Sequence, residues 1–107
     1  MPLHGFARFS EPAVLVLLSL LDGPKHGYAI TEDLARLTGR RLGPGTLYGA
    51  IGQLERRGLI EALAGDGRRK PYRITPAGLE EVRLEVHRLD AITGEARRRL
   101  RLGEAFA

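Results

Sequence analysis

Between Ala13 and Leu21 the chain is apolar at every position but Ser19, AVLVLLSLL. A run of that density predicts a helix that is apolar on nearly every face and has to be covered all round, by the rest of the domain or by a second subunit. Ser10 is placed to cap it, Glu11 falls in its positive first turn, and Pro12 sits near the position where a missing N–H is harmless. Asp22-Gly23-Pro24 stops it. Beyond that point the spacing becomes that of half-buried helices. Ile30, Leu34 and Leu37 fall at i, i+4 and i+7 and predict a second helix over residues 28–37, ended by Gly39. Leu47, Ile51 and Leu54 repeat the spacing in a third, which opens at Pro44 and stops at Gly58 after Arg56 and Arg57, cations suited to a helix C-terminus. Two short helices joined by the tight connection 39–43 outline a helix-turn-helix.

Residues 59–63 and 71–74 read as short strands on either side of Gly65-Asp66-Gly67, a strong turn signal. The hairpin they form needs something to pack on. Thr75-Pro76 then reads as a cap and first helical residue, opening a helix that continues to about Leu102, roughly 39 Å at 1.5 Å per residue. Along it Leu79, Val82, Val86, Leu89, Thr93, Ala96 and Leu100 step by three and four, the spacing of a coiled-coil seam. Gly94 interrupts the seam at a cost of about 1 kcal/mol relative to Ala and suggests a bend or a close helix approach there. The fold class is therefore mainly α with a small β-hairpin wing. A winged helix-turn-helix fills residues 10–75, a long C-terminal dimerisation helix fills 76–102, and 1–9 and 103–107 are flexible or dimer-contacting ends.

The 107 residues leave room for one domain with a modest core, so oligomerisation is a reasonable expectation. Seventeen Lys and Arg stand against thirteen Asp and Glu, a formal charge of +4 with a pI near 10.1, which favours contact with polyanions. The absence of cysteine removes disulfides and thiolate zinc sites, in keeping with a reducing cytoplasm. The apolar run at 13–21 has the length of a signal-peptide core, but Glu11-Pro12 before it, Asp22-Gly23-Pro24 after it and the lack of a small-x-small pattern argue against one; it is also far short of the roughly 18 apolar residues of a membrane span. Enzyme chemistry finds no support. His4, His26 and His87 are scattered, no nucleophilic cysteine exists, and no close His/Asp/Glu spacing resembles a metal motif. Gly43, Gly45 and Gly49 miss the dinucleotide fingerprint by one position, and no lysine follows as a phosphate loop requires. No cofactor and no metal are expected.

In this order and spacing, His26-Gly27-Tyr28, Gly45-Thr46-Leu47-Tyr48, Leu54-Glu55 through Gly58-Leu59-Ile60, Tyr72 and Ile74-Thr75-Pro76-Ala77-Gly78 resemble the PadR family of bacterial transcriptional regulators, from Ser10 onward. The resemblance implies a homodimeric repressor with the third helix in the major groove of double-stranded DNA, the wing alongside, and a dimer built from the last helix and the N-terminal segment. The chain is short for the family, with one C-terminal helix. Members that bind aromatic or drug-like effectors at the dimer interface use tryptophan, and this chain has none, so no effector is assigned.

Projected at 100° per residue, Leu47, Ile51 and Leu54 define the buried side of the third helix, and Gly45, Gly49, Gly52, Gln53 and Arg56 the opposite side. Glycines in a helix interior are costly, and close approach of backbone to a ligand is one reason to keep them. On this reading the glycine face lets the helix lie deep in the groove, leaving Gln53 to read adenine and Arg56 guanine; otherwise the glycines are merely tolerated in a helix held by packing. Tyr48 on the flank can reach a phosphate with its hydroxyl, as its family counterpart suggests, while its ring packs on the second helix. Thr46 can donate to a phosphate or simply cap its own helix. His26 and Tyr28 invite phosphate roles, although for Tyr28 packing is the expectation preferred here. Arg68, Arg69 and Lys70 would ride the wing tip, within reach of phosphates or a minor groove, or form a solvated turn. Arg97, Arg98, Arg99 and Arg101 are left outside the DNA site. The expected function is sequence-specific DNA binding at a pseudo-palindromic operator; a winged-helix protein-interaction module and a non-specific architectural DNA-binding protein are the alternatives.

Overall fold

Ser10 caps the first helix as its position predicts: its hydroxyl accepts the Ala13 N–H at 3.3 Å, ahead of α1, Glu11–Ser19. The computed structural model describes residues 10–65 and 70–106. After α1 the chain tightens into a 3₁₀ turn, Leu20–Asp22. α2, Gly27–Thr38, is opened by His26, whose Nδ1 accepts the Ala29 N–H at 3.3 Å, and closed by Gly39 at φ +77°, a left-handed turn open to glycine at no steric cost. α3, Pro44–Arg56, follows the connection. β1, Ile60–Ala62, and β2, Tyr72–Ile74, pair antiparallel with Ile60 opposite Ile74 and Ala62 opposite Tyr72. α4, Pro76–Phe106, completes the chain. The order of elements and the mostly helical class match the winged helix-turn-helix expected from the pattern.

α1 is the hub, packing against α2, α3 and α4. Ala13, Val16, Leu17 and Leu20 meet Ile30 and Leu34 from α2 and Leu47, Ala50, Ile51 and Leu54 from α3 in one buried cluster, which Leu59, Ile60 and Tyr72 extend to the hairpin. One expectation changes. Leu37, assigned to the buried face of the second helix, is 61% exposed; it lies in the last turn of α2, where the chain is already leaving the core. Of the two ways to cover the first helix, the rest of the domain supplies only part, since Leu18 and Leu21 remain exposed.

The hairpin finds its partner in the segment between α1 and α2. Lys25 forms an antiparallel bridge to Tyr72, with the Lys25 N–H donating to the Tyr72 carbonyl at 3.1 Å and the Tyr72 N–H to the Lys25 carbonyl at 2.9 Å. The Lys25 side chain turns the other way and donates to the Ser19 carbonyl and the Asp22 carboxylate. The buried Ser19 hydroxyl donates to Asp33 of α2 at 2.7 Å. The end of α1, the start of α2 and the base of the wing are thus tied at one place. Across the hairpin Arg73 pairs with Glu61 in register.

Thr75 joins the wing to α4. Its Oγ1 donates to the Gly58 carbonyl at 2.7 Å and accepts the Gly78 N–H at 3.1 Å, the cap read from Thr75-Pro76. Gly78 is buried here. A Cβ on it would overlap the Leu59 carbonyl oxygen, stand 3.1 Å from that carbonyl carbon, and meet Ile74 Cγ1 at 2.7 Å. α4 continues for 31 residues, about 46 Å, beyond the Leu102 expected and through most of the 103–107 end. Gly94 does not interrupt it, and among the described residues nothing comes within 4 Å of a Cβ built there, so no close helix approach among them calls for that glycine. The molecule is elongated accordingly, 59 × 27 × 23 Å.

These two helical glycines should respond oppositely to alanine. Gly78→Ala is expected to lower unfolding stability by about 2–3 kcal/mol, because rigid backbone must move. Gly94→Ala should raise it by roughly 0.5–1 kcal/mol through helix propensity. Urea unfolding followed by circular dichroism reads both.

Candidate nucleic-acid interface

α3 has two sides of opposite character. Leu47, Ala50, Ile51 and Leu54 are buried, while Gly45, Thr46, Gly49 and Arg56 are exposed and Gly52 and Gln53 partly so. Among the described residues nothing comes within 4 Å of a Cβ built on Gly45 or Gly49, so no packing among them requires glycine at either. At Gly52 the same Cβ would lie 3.2 Å from Arg56 Nη1, showing that the guanidinium folds back along the glycine stripe. The N-terminus of α3 is bare as well. Gly43 at the cap position has no side chain to bond, and Pro44 has no N–H, which leaves the Gly45 and Thr46 N–H groups as the open donors of the first turn.

The N-termini of α2 and α3 meet at a cleft of about 210 Å³ lined by Gly27, Tyr28, Thr31, Leu42, Pro44, Leu47 and Tyr48. Tyr48 lies across Gly27: a Cβ there would stand 2.5 Å from the Tyr48 hydroxyl oxygen and 3.0 Å from Cζ. Its ring therefore packs on the second helix while the side chain stays 45% exposed. Gly27 carries a packing role that the sequence reading did not assign. Tyr28 departs from expectation. Instead of packing it is 68% exposed, because as the second residue of α2 it points away from the Ile30 and Leu34 face. Its ring stacks loosely on His26, centroids 6.5 Å apart. With Nδ1 of His26 accepting a backbone N–H, the neutral ring carries its proton on Nε2, free to donate outward.

On the same side, Arg41 in the connection donates to both carboxylate oxygens of Glu32. That hydrogen bond holds the Glu32 carboxyl below its usual range, with the Arg36 charge and the Tyr28 hydroxyl adding to the effect, and raises Arg41. At the wing, Lys70 lies over the Tyr72 ring with Nζ 5.9 Å from its centroid, and burial pushes the Tyr72 hydroxyl up. Arg68 and Arg69 lie outside the described residues. The distant arginines of α4 are partly engaged with Glu95, whose carboxyl hydrogen bonds from Arg98 and Arg99 lower to about 2.

The seam read on the last helix divides. Leu79 and Val82 are partly covered, with Val82 against the core, whereas Val86, Leu89 and Leu100 are exposed. Beside it runs a groove of about 140 Å³ between α1 and α4, walled by Val14, Leu17, Leu18, Val82, Val86 and Leu89, with Glu81 and Glu85 at its edge. Phe106, near the end of α4, is 87% exposed. Among the described residues no three His, Asp or Glu side chains stand where they could share a metal ion. No helix among them is long and apolar enough to cross a membrane.

A model of the transcriptional regulator PadR-like family matches residues 14–84, from α1 into α4. The chain belongs to this family. PadR-like regulators are DNA-binding proteins without enzymatic activity. The chain is 44% identical over 66 residues to the transcriptional regulator Rv3488 of Mycobacterium tuberculosis, covering 59% of this chain and 61% of that one. It is also 44% identical over 87 residues to a 37.1 kDa protein of transposon TN4556 from Streptomyces fradiae, covering 81% of this chain and 25% of that protein. The chain thus spans less than two thirds of either relative. Among solved structures, a transcriptional regulator from Clostridium thermocellum superposes with a TM-score of 0.72 at 27% identity, over 80% of this chain and 89% of that one. A PadR family transcription regulator from Clostridium difficile R20291 shares the fold, with a TM-score of 0.73 at 24% identity over 85% and 99% of the two chains.

The PadR-like His26-Gly27-Tyr28 and Gly45-Thr46-Leu47-Tyr48 segments are thereby joined in one contact, Tyr48 on Gly27. Gly27→Ala should cost about 1–2 kcal/mol in the natural background and much less when Tyr48 is also alanine, a coupling of about 1 kcal/mol in a double-mutant cycle read by chemical unfolding.

Proposed function

We propose that this PadR-like regulator is a homodimer that recognises a specific pseudo-palindromic operator in double-stranded DNA and represses transcription from it in the cytoplasm. The observation that carries the reading is the bare face of α3: one side buried in the core, the other presenting Gly45, Thr46, Gly49, Gln53 and Arg56 to solvent. With no Cβ at Gly45 and Gly49, the helix axis can lie closer to the floor of a major groove than a helix with full side chains. Gln53 then reads an adenine edge and Arg56 a guanine edge. Tyr48, Thr46, His26 and Tyr28 contact phosphates near the two helix N-termini. Arg68, Arg69 and Lys70 extend the contact from the wing into phosphates or a minor groove. The stripe of Leu79, Val82, Val86, Leu89, Ala96 and Leu100 on α4 supplies the dimer seam, for which the exposure of Val86, Leu89 and Leu100 leaves apolar surface to cover. Symmetry then demands half-sites about one helical turn apart, roughly 34 to 36 Å.

Selection of duplexes from a random library, followed by fluorescence anisotropy at two salt concentrations, tests the reading. A pseudo-palindromic winner should bind at least about 1,000-fold more tightly than its scrambled control. Equal, salt-sensitive binding to both would instead mark an architectural protein, and binding to neither a protein-interaction module. Gly49→Ala should stabilise the fold by up to about 1 kcal/mol yet bind the selected operator roughly tenfold more weakly; unchanged or tighter binding would remove the close-approach role.

A further inference from the structure

Arg41 stands two residues before the cap of α3, next to Leu42 in the wall of the cleft between the α2 and α3 N-termini. A cation there is well placed for a phosphate, yet its guanidinium is already occupied, both ends of the fork lying on the two oxygens of Glu32. Glu32 is one helical turn beyond Tyr28, on the α2 face that adjoins the cleft, and its side chain is 28% exposed against 60% for Arg41. A carboxylate at a surface that meets a polyanion repels it, and paired with Arg41 it cancels that residue's charge. A surface ion pair is worth little unless its geometry is bidentate, as it is here, so this pair holds in the free protein and is still open to exchange. A phosphate entering the cleft can therefore take Arg41 from Glu32, but only against the repulsion of the carboxylate left behind.

We propose that Glu32 is a specificity-determining counterweight, holding Arg41 away from DNA phosphates so that binding has to be completed by base contacts of α3 rather than by charge alone. The inference rests on the DNA-binding reading above. Its physical content is that Glu32 subtracts one effective phosphate contact from binding to any sequence. Loss of the carboxylate consequently strengthens non-specific binding and narrows the gap between operator and random DNA. Arg41 becomes a phosphate ligand in full only when Glu32 is neutral.

The test uses the full chain with Glu32→Gln, Arg41→Gln and the double variant, against a random-sequence 30-base-pair duplex over a salt series. Glu32→Gln should bind roughly three- to tenfold more tightly, with a slope of log K against log salt steeper by up to about 0.9. Arg41→Gln should weaken binding by a similar factor in the natural background, because it leaves the Glu32 carboxylate unpaired, and the double variant should bind as the natural chain does. Glu95→Gln, which removes the same charge far along α4, controls for net charge and should leave the slope unchanged. Equal slopes for the natural chain and Glu32→Gln, or a gain from Glu95→Gln as large, would overturn the inference while leaving DNA recognition intact. Failure of the natural chain to bind any duplex would overturn both. A readout without DNA is the Arg41 guanidinium NMR signal. Slow rotation of its amino groups in the natural chain and fast rotation in Glu32→Gln are expected; fast rotation in both would show that the pair does not persist, and the inference falls.

Discussion

Ala13, Val16, Leu17 and Leu20 vanish from solvent between α2, α3 and α4, and the rest of the molecule hangs on that burial. Each large side chain hidden there contributes about 1.5–3 kcal/mol, and the same few residues fix three other helices at once. α3 takes a defined rotation because Leu47, Ile51 and Leu54 have only this surface to meet. Its glycine stripe faces outward as a consequence of what its leucines do. The geometry of the exposed side of α3 is thus set from behind, by apolar contacts on the opposite side of the helix.

Much of this arrangement was legible in the chain because the signals were local. The i, i+4, i+7 spacing located α2 and α3, and Ser10 and Thr75 marked two helix starts by capping; of the Gly65-Asp66-Gly67 turn, Asp66 and Gly67 lie outside the described residues. What stayed hidden depends on partners distant in sequence. Spacing assigned Leu37 to the core because periodicity has no knowledge of where the body of the protein ends; the last turn of α2 has already passed it. For Tyr28 the sequence favours packing, but only the placement of α3 shows that Tyr48 occupies the space over Gly27 while Tyr28 stays exposed. The Lys25 bridge to Tyr72 had no sequence signal, being a single residue of strand pairing inside a connection.

The glycines separate into roles that composition cannot distinguish. Gly27 and Gly78 are filled sites, one by a tyrosine ring and the other by a backbone carbonyl, and each belongs to a segment that led the chain to be recognised as PadR-like. Gly45 and Gly49 are empty sites, with open space where a side chain would be. The first pair is explained by the fold alone. The second has no explanation among the described residues, which is why the proposed function looks outside them.

The Lys25–Tyr72 bridge has a mechanical consequence. Lys25 is the residue before His26, the cap of α2, and Tyr72 begins the returning strand of the wing. Two backbone hydrogen bonds therefore rivet the root of the wing to the entrance of the helix-turn-helix, while Thr75 fastens its other end to Gly58 at the exit of α3. The spacing between the two parts is thus set by hydrogen bonds at both ends of the returning strand. If both parts meet DNA as proposed above, a duplex whose groove spacing differs from theirs would have to deform to fit, and its stiffness would enter the binding energy.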